Sequence, residues 1–130
     1  IRTRRKTLLG RSGWVRIQLG VLHILDGDQA GAVAFFIHHQ KFLDAVLSVE
    51  DVGIFKPSAK VYDMVGARFG VAAEEVLFVS SNGWDAAASA GYGFQTVWVN
   101  RKGEPVDRLP WKPVHILSDL TGIPDLAGRL

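Results

Sequence analysis

A chain of 130 residues fits one domain and can bury a sizeable core, and its 48% apolar and 22% charged residues are ordinary for a globular protein. The absence of cysteine excludes a disulfide framework, a thiolate zinc site and a cysteine nucleophile, and no apolar run reaches the roughly 18–20 residues that would span a bilayer. The net charge of +2 hides an asymmetry: residues 1–25 carry Arg2, Arg4, Arg5, Lys6, Arg11 and Arg16 and no acid, which leaves nine basic against 13 acidic residues, net −4, in residues 26–130.

The basic first segment, taken as residues 1–22, is open to three readings: an arm for nucleic acid or another acidic surface, an Arg-rich, acid-poor leader, or sequence never selected to fold with the rest. The chain opens on Ile1 rather than Met, as expected of a processed, truncated or excised product. Residues 23–130 form the expected structured part. Cysteine-free composition is compatible with a reducing cytoplasm, which is the expected location.

In chain order, Leu19 to Leu25 is an apolar run that predicts a short buried strand, ended by the turn Asp26-Gly27-Asp28. Gln29 to Gln40 predicts a helix. His38 and His39 on it are adjacent and diverge by about 100°, which argues against a shared metal. Ala45 to Val49 (AVLSV) predicts a second strand. A loop through Glu50, Asp51 and Gly53 leads to Lys56-Pro57, and Pro57 is expected in the first turn of a helix running to Phe69. Val61, Met64, Val65 and Arg68 recur at helical spacing, and Gly70 fits the C-terminal cap.

Val76 to Val79 (VLFV) predicts a third strand, Ser80 to Gly83 a turn, and Trp84 to about Gly91 a small-residue helix suited to close packing on a sheet. Thr96 to Val99 (TVWV) and Val114 to Leu117 (VHIL) predict two more strands, with Ser118 capping a short last helix. Alternating strands and helices at this spacing predict an α/β fold, a Rossmann-like parallel sheet flanked by helices. The continuous apolar runs predict strands covered on both faces.

In an open parallel sheet, ligands bind at the carboxyl ends of the strands. Two stretches load that edge with polar groups: Lys56, after AVLSV, and Ser80-Ser81-Asn82-Gly83-Trp84-Asp85, directly after VLFV. Hydroxyls, an amide, backbone N–H groups and a carboxylate at one point suit an anionic substrate and a polarised water. Each has an ordinary alternative. Lys56 reads equally as a solvated lysine, Ser80 to Asn82 as turn and cap residues, Asp85 as an acid favoured by the helix dipole, Tyr62 as a helix-face aromatic, and Trp84 and Trp98 as packing residues.

The combination goes further. FKP-x3-VY at Phe55–Tyr62 and FVSSN-x-WD at Phe78–Asp85, followed by TVWVNR, resemble the L-2-haloacid dehalogenases of the haloacid dehalogenase superfamily, over roughly Phe42 to Leu120. The resemblance implies a haloacid dehalogenase-like core lacking its cap domain, and hydrolytic removal of halide from a short 2-haloalkanoic acid. In that family an aspartate displaces the halide with inversion, and water then hydrolyses the enzyme ester. By similarity Lys56 balances the clustered carboxylates, Tyr62 is a site tyrosine, Ser80 and Asn82 orient the site, and Asp85 pairs with the lysine and positions the hydrolytic water. The superfamily's magnesium-dependent phosphatases carry an acid where this chain has Ser81, and Asp85 alone is a poor cage for magnesium. No metal and no cofactor are therefore expected.

The family's nucleophile lies in a DxxGT-like turn far ahead of the lysine, together with a helical cap whose arginine captures halide, whereas 55 residues precede Lys56 here. A truncated chain, inactive alone, is expected. Two alternatives stay open: a superfamily phosphatase using Asp26 as nucleophile and Asp28 as acid, and a non-enzymatic α/β remnant whose basic arm binds nucleic acid. The expected partner is a small 2-haloacid, with no membrane partner, nucleic acid the lesser alternative, and a homodimer left open.

Overall fold

The computed structural model describes Ala45 and residues 47–129. The boundary at residue 22, the strand and helix read between Leu19 and Gln40, and the Asp26–Asp28 turn lie outside the described residues. Among the described residues there are three strands, β1 (Leu77–Ser80), β2 (Gln95–Val99) and β3 (His115–Leu117), and three α-helices, α1 (Ala59–Phe69), α2 (Gly83–Tyr92) and α3 (Ile123–Ala127), with 3-10 turns at Val49–Asp51 and Ala73–Glu75. The expected α/β architecture is present: the strands form one sheet in the order β1-β2-β3, parallel throughout.

α1 forms because Val61 and Tyr62 fall on one face and are buried, with Met64 and Val65 half-buried beside them. It stops at Gly70, whose φ of 63° is a left-handed conformation that costs a glycine little, and whose N–H bonds the Gly66 carbonyl. Pro57 does not lie in this helix as expected. It occupies the third position of a turn closed by the Ser58 N–H on the Phe55 carbonyl at 3.2 Å, with a cis Lys56–Pro57 bond, and the helix begins after Ser58.

AVLSV is not a strand at its described positions. Ala45, Leu47 and Ser48 lie outside any ladder, and Val49–Asp51 is a 3-10 turn capped by the Ser48 hydroxyl, which accepts from the Glu50 N–H at 3.2 Å. An apolar run becomes a strand only where a neighbouring ladder takes its N–H and C=O groups, and no described strand pairs with this one.

β1 pairs with β2 from Leu77↔Gln95 to Ser80↔Trp98, and β2 with β3 from Val97↔His115 to Val99↔Leu117. The central strand meets the expectation of two covered faces, with Thr96 through Val99 all buried. The Thr96 hydroxyl accepts from the Val114 N–H at 3.0 Å, so this buried polar atom is satisfied. β1 and β3 depart from it: Val79 is 36% and Ile116 48% exposed, because each is an edge strand of the described sheet.

α2 packs on β1 and β2 through Ala86, Ala87 and Ser89, and α1 packs on α2. The small side chains are needed. A Cβ on Gly83 would meet the Trp98 ring at 3.0 Å. α2 ends at Gly93, whose φ of 119° a side chain rarely adopts. Ser118 does not cap the last helix. The Asp119 carboxylate accepts from the Thr121 N–H and hydroxyl at 2.8 and 2.6 Å, holding the chain in a turn, and α3 starts after Gly122 with Pro124 in its first turn.

Candidate active site

β1 ends on Ser80, and two residues later the chain restarts as α2 with Asp85 in its first turn. That tight strand-to-helix connection brings the Ser80 hydroxyl to Asp85 Oδ2 at 3.1 Å, as donor. The same hydroxyl accepts from the Asn82 N–H at 3.1 Å, which fixes the turn. Lys56, from the turn ahead of α1, places Nζ 2.8 Å from Asp85 Oδ2. Tyr62, on the buried face of α1, donates its hydroxyl to Asp85 Oδ1 at 3.3 Å. Three separate segments thus converge on one carboxylate at the carboxyl edge of the sheet.

The Lys56 and Asp85 side chains are only 3% and 9% exposed. Removing two charges from water is costly, and it is tolerated when they are paired and further hydrogen-bonded. The lysine ammonium also lies 5.0 Å from the centre of the Phe78 ring, an additional favourable contact for a desolvated cation. Burial pushes the Tyr62 phenol well above the ordinary tyrosine range, and the charge and hydrogen bond of Asp85 push it the same way. It therefore stays a proton donor to the carboxylate at neutral pH.

Of the five site residues read from sequence, Lys56, Tyr62, Ser80 and Asp85 meet directly. Asn82 is exposed beside them, tied in through its backbone N–H, and its side chain does not cap α2. Trp98 is the packing residue expected, whereas Trp84 is 36% exposed in the first turn of α2. Sequence reading passed over Phe78, which backs the lysine. Its signal is the lone aromatic in an otherwise aliphatic strand. Among the described residues no group of three or more His, Asp or Glu is placed to hold a metal ion, and both Asp85 oxygens are taken by protein donors.

A haloacid dehalogenase-like hydrolase family model matches residues 15–93. The chain belongs to the haloacid dehalogenase-like hydrolases. The match begins ahead of Phe42, where the motif resemblance starts.

Among relatives within this family, an (S)-2-haloacid dehalogenase of Pseudomonas putida is 46% identical over 77 residues, 59% of this chain and 34% of its own length. (S)-2-haloacid dehalogenase 2 of Pseudomonas sp. strain CBS-3 is 37% identical over 97 residues, 75% of this chain and 39% of its own. The chain thus spans little more than a third of the length of these relatives. A solved L-2-haloacid dehalogenase superposes with a TM-score of 0.66 at 37% identity, over 69% of this chain and 40% of that one. The L-2-haloacid dehalogenase of Xanthobacter autotrophicus does so with 0.67 at 26% identity, over 77% and 50%.

Proposed function

We propose that this chain carries the lysine–aspartate half of a 2-haloacid dehalogenase site, acting in hydrolytic removal of halide from a short 2-haloalkanoic acid. One observation carries the reading. In a chain of this family, a single carboxylate, Asp85, takes hydrogen bonds from Lys56, Ser80 and Tyr62 at the carboxyl end of a parallel strand. The relatives named as 2-haloacid dehalogenases support it, and the Xanthobacter enzyme has also been solved with chloropropionic acid covalently bound.

The proposed chemistry has two steps. A carboxylate attacks the carbon bearing the halogen, the C–O bond forms as the carbon–halogen bond breaks, and halide leaves with the bonding pair. Water then attacks the carbonyl of the resulting ester, loses a proton, and the 2-hydroxy acid departs while the carboxylate is regenerated. In this scheme Lys56 supplies positive charge beside the reacting carboxylate, Asp85 receives the proton of the attacking water or orients that water, and Ser80, Asn82 and Tyr62 hold Asp85 and the substrate in register. No described residue is assigned as the nucleophile, and the chain alone is expected to turn nothing over. The reading places the chain in the cytoplasm with a small anionic substrate and calls for no cofactor, since the ester forms on a protein carboxylate. No described helix is long and apolar enough to cross a membrane.

The test is a chimaera in which the matched segment of the Pseudomonas putida relative is replaced by that of this chain. Halide release from 2-chloropropionate should persist, and Lys56→Ala or Asp85→Ala in the chimaera should abolish it. A folded chimaera without activity would remove the proposal. Enzyme-like halide release by the chain alone would move the nucleophile into it and return attention to Asp26 and Asp28.

A further inference from the structure

Tyr62 is held at two ends. Its hydroxyl reaches Asp85 near the start of α2. Its ring lies against Tyr92, the last residue of α2, with centroids 5.3 Å apart and planes tilted by 40°. The Tyr92 hydroxyl in turn donates to Asp63 Oδ1 at 2.6 Å, and Asp63 follows Tyr62 directly on α1. Asp85 and Tyr92 are seven residues apart. At about 100° per residue that is two full turns less about 20°, so both lie on one side of α2, roughly 10 Å apart along its axis. Two adjacent residues of α1 are thus bonded to two points on one stripe of α2. One bond alone would let α1 roll about the contact, and two do not.

The Tyr62 bond to Asp85 is the one such a roll would break first. At 3.3 Å it lies beyond the usual hydrogen-bond range, against 2.8 Å for Lys56. Edge-on contacts with Phe78 and Phe94, at 6.1 and 5.7 Å between centroids, limit movement toward the sheet. Toward the α2 terminus Tyr62 meets the Tyr92 ring, which itself rests edge-on against Phe94 with centroids 4.9 Å apart.

We propose that Tyr92 and Asp63 form a positioning pair that sets the Tyr62 phenol on Asp85. The inference deepens the reading of Tyr62 as a site group and rests on it for its functional meaning. Among the described residues, the charged and titratable groups around Tyr62 are Asp85 on α2, with Lys56 on the far side of that carboxylate, and Asp63 and Tyr92 on the flank. Tyr92 is itself pushed up to about 12, first by its bond to Asp63, so it remains a donor throughout the neutral range.

The chain contains two tyrosines, which makes the test direct. The full chain is labelled with fluorotyrosine, whose phenol is more acidic than that of tyrosine, and followed by fluorine NMR. Tyr92→Phe deletes one resonance and keeps the ring packing, leaving Tyr62 as the only signal. We expect the Tyr62 resonance to broaden and its titration midpoint to fall by about half a pH unit or more toward that of the free amino acid. Asp63→Asn, which keeps a neutral acceptor, should move it the same way by less. If both variants melt at lower temperature yet leave the Tyr62 resonance and midpoint at their native values, the pair only fastens two helices and the proposal fails. The readout needs no turnover, so an inactive chimaera leaves this result standing, and an unmoved Tyr62 leaves the halide-release result standing.

Discussion

Lys56 Nζ and Asp85 Oδ2 stand 2.8 Å apart with almost no solvent on either side chain, joining the turn ahead of α1 to the first turn of α2. The pair ties together two segments 29 residues apart in sequence. Its contribution to the fold and to the proposed chemistry therefore rests on the same contact, and a change at either end has a structural cost.

Asp85→Asn keeps the volume of the side chain and removes its charge, leaving the Lys56 ammonium buried without its counter-ion. Breaking such a pair costs about 3–5 kcal/mol, which should appear as a large drop in the urea midpoint. Lys56→Met alone should cost less, because Asp85 keeps the Ser80 and Tyr62 donors. The double change should be cheaper than the sum of the single ones, since the stranded ammonium is gone. Additive losses would mean that the two charges are not energetically coupled.

Ser80→Ala removes both a donor to Asp85 and the acceptor for the Asn82 N–H. A hydrogen bond to a charged group is worth about 1.5–3 kcal/mol, and the exposed Asn82 N–H can turn to water instead. Destabilisation in that range is expected in denaturant titration. A loss below about 0.5 kcal/mol would mean that solvent replaces the hydroxyl without penalty.

Asp85 and the three groups that meet at it are legible because their spacing on either side of a strand-to-helix turn repeats a recognisable pattern, and because polar residues directly after an apolar run mark the carboxyl edge of a parallel sheet. Elements that depend on distant partners were not legible. AVLSV has strand composition, yet no described strand pairs with it, and Ser48 caps a turn instead. Pro57 and Ser118 carry helix-start signals, but a closed turn at Phe55–Ser58 and the Asp119–Thr121 bonds displace each helix start toward the C-terminus. The Tyr92–Asp63 contact joins two helix faces, and neither residue signals the other in sequence.

The segment after β2 lies close against α2 at Gly91, where a Cβ would overlap the Trp111 ring. Gly91→Ala should therefore push the half-exposed Trp111 ring aside. Alanine in a helix is favoured over glycine by about 1 kcal/mol, and overpacking costs about 1–3 kcal/mol, so the net effect is a modest loss with an altered Trp fluorescence maximum. In a Trp111→Ala background the clash is absent and the same change should stabilise. A stabilising Gly91→Ala in the native background would show that the ring moves away freely.

The raised pKa of Tyr62 sets an alkaline limit on stability. The folded state holds the phenolic proton more tightly than the unfolded chain, so this contribution is complete below the ordinary tyrosine value of 10.0 and is lost as pH rises above it toward the folded value. Chemical denaturation across pH 8 to about 12 should show wild-type stability falling more steeply above pH 10 than that of Tyr62→Phe, which has no proton to lose. Tyr92, pushed up to about 12, adds to the fall in both proteins. The cost of Tyr62→Phe should therefore be greatest at neutral pH and shrink through the alkaline range. A cost independent of pH would mean that the hydroxyl is not bonded to Asp85 in solution.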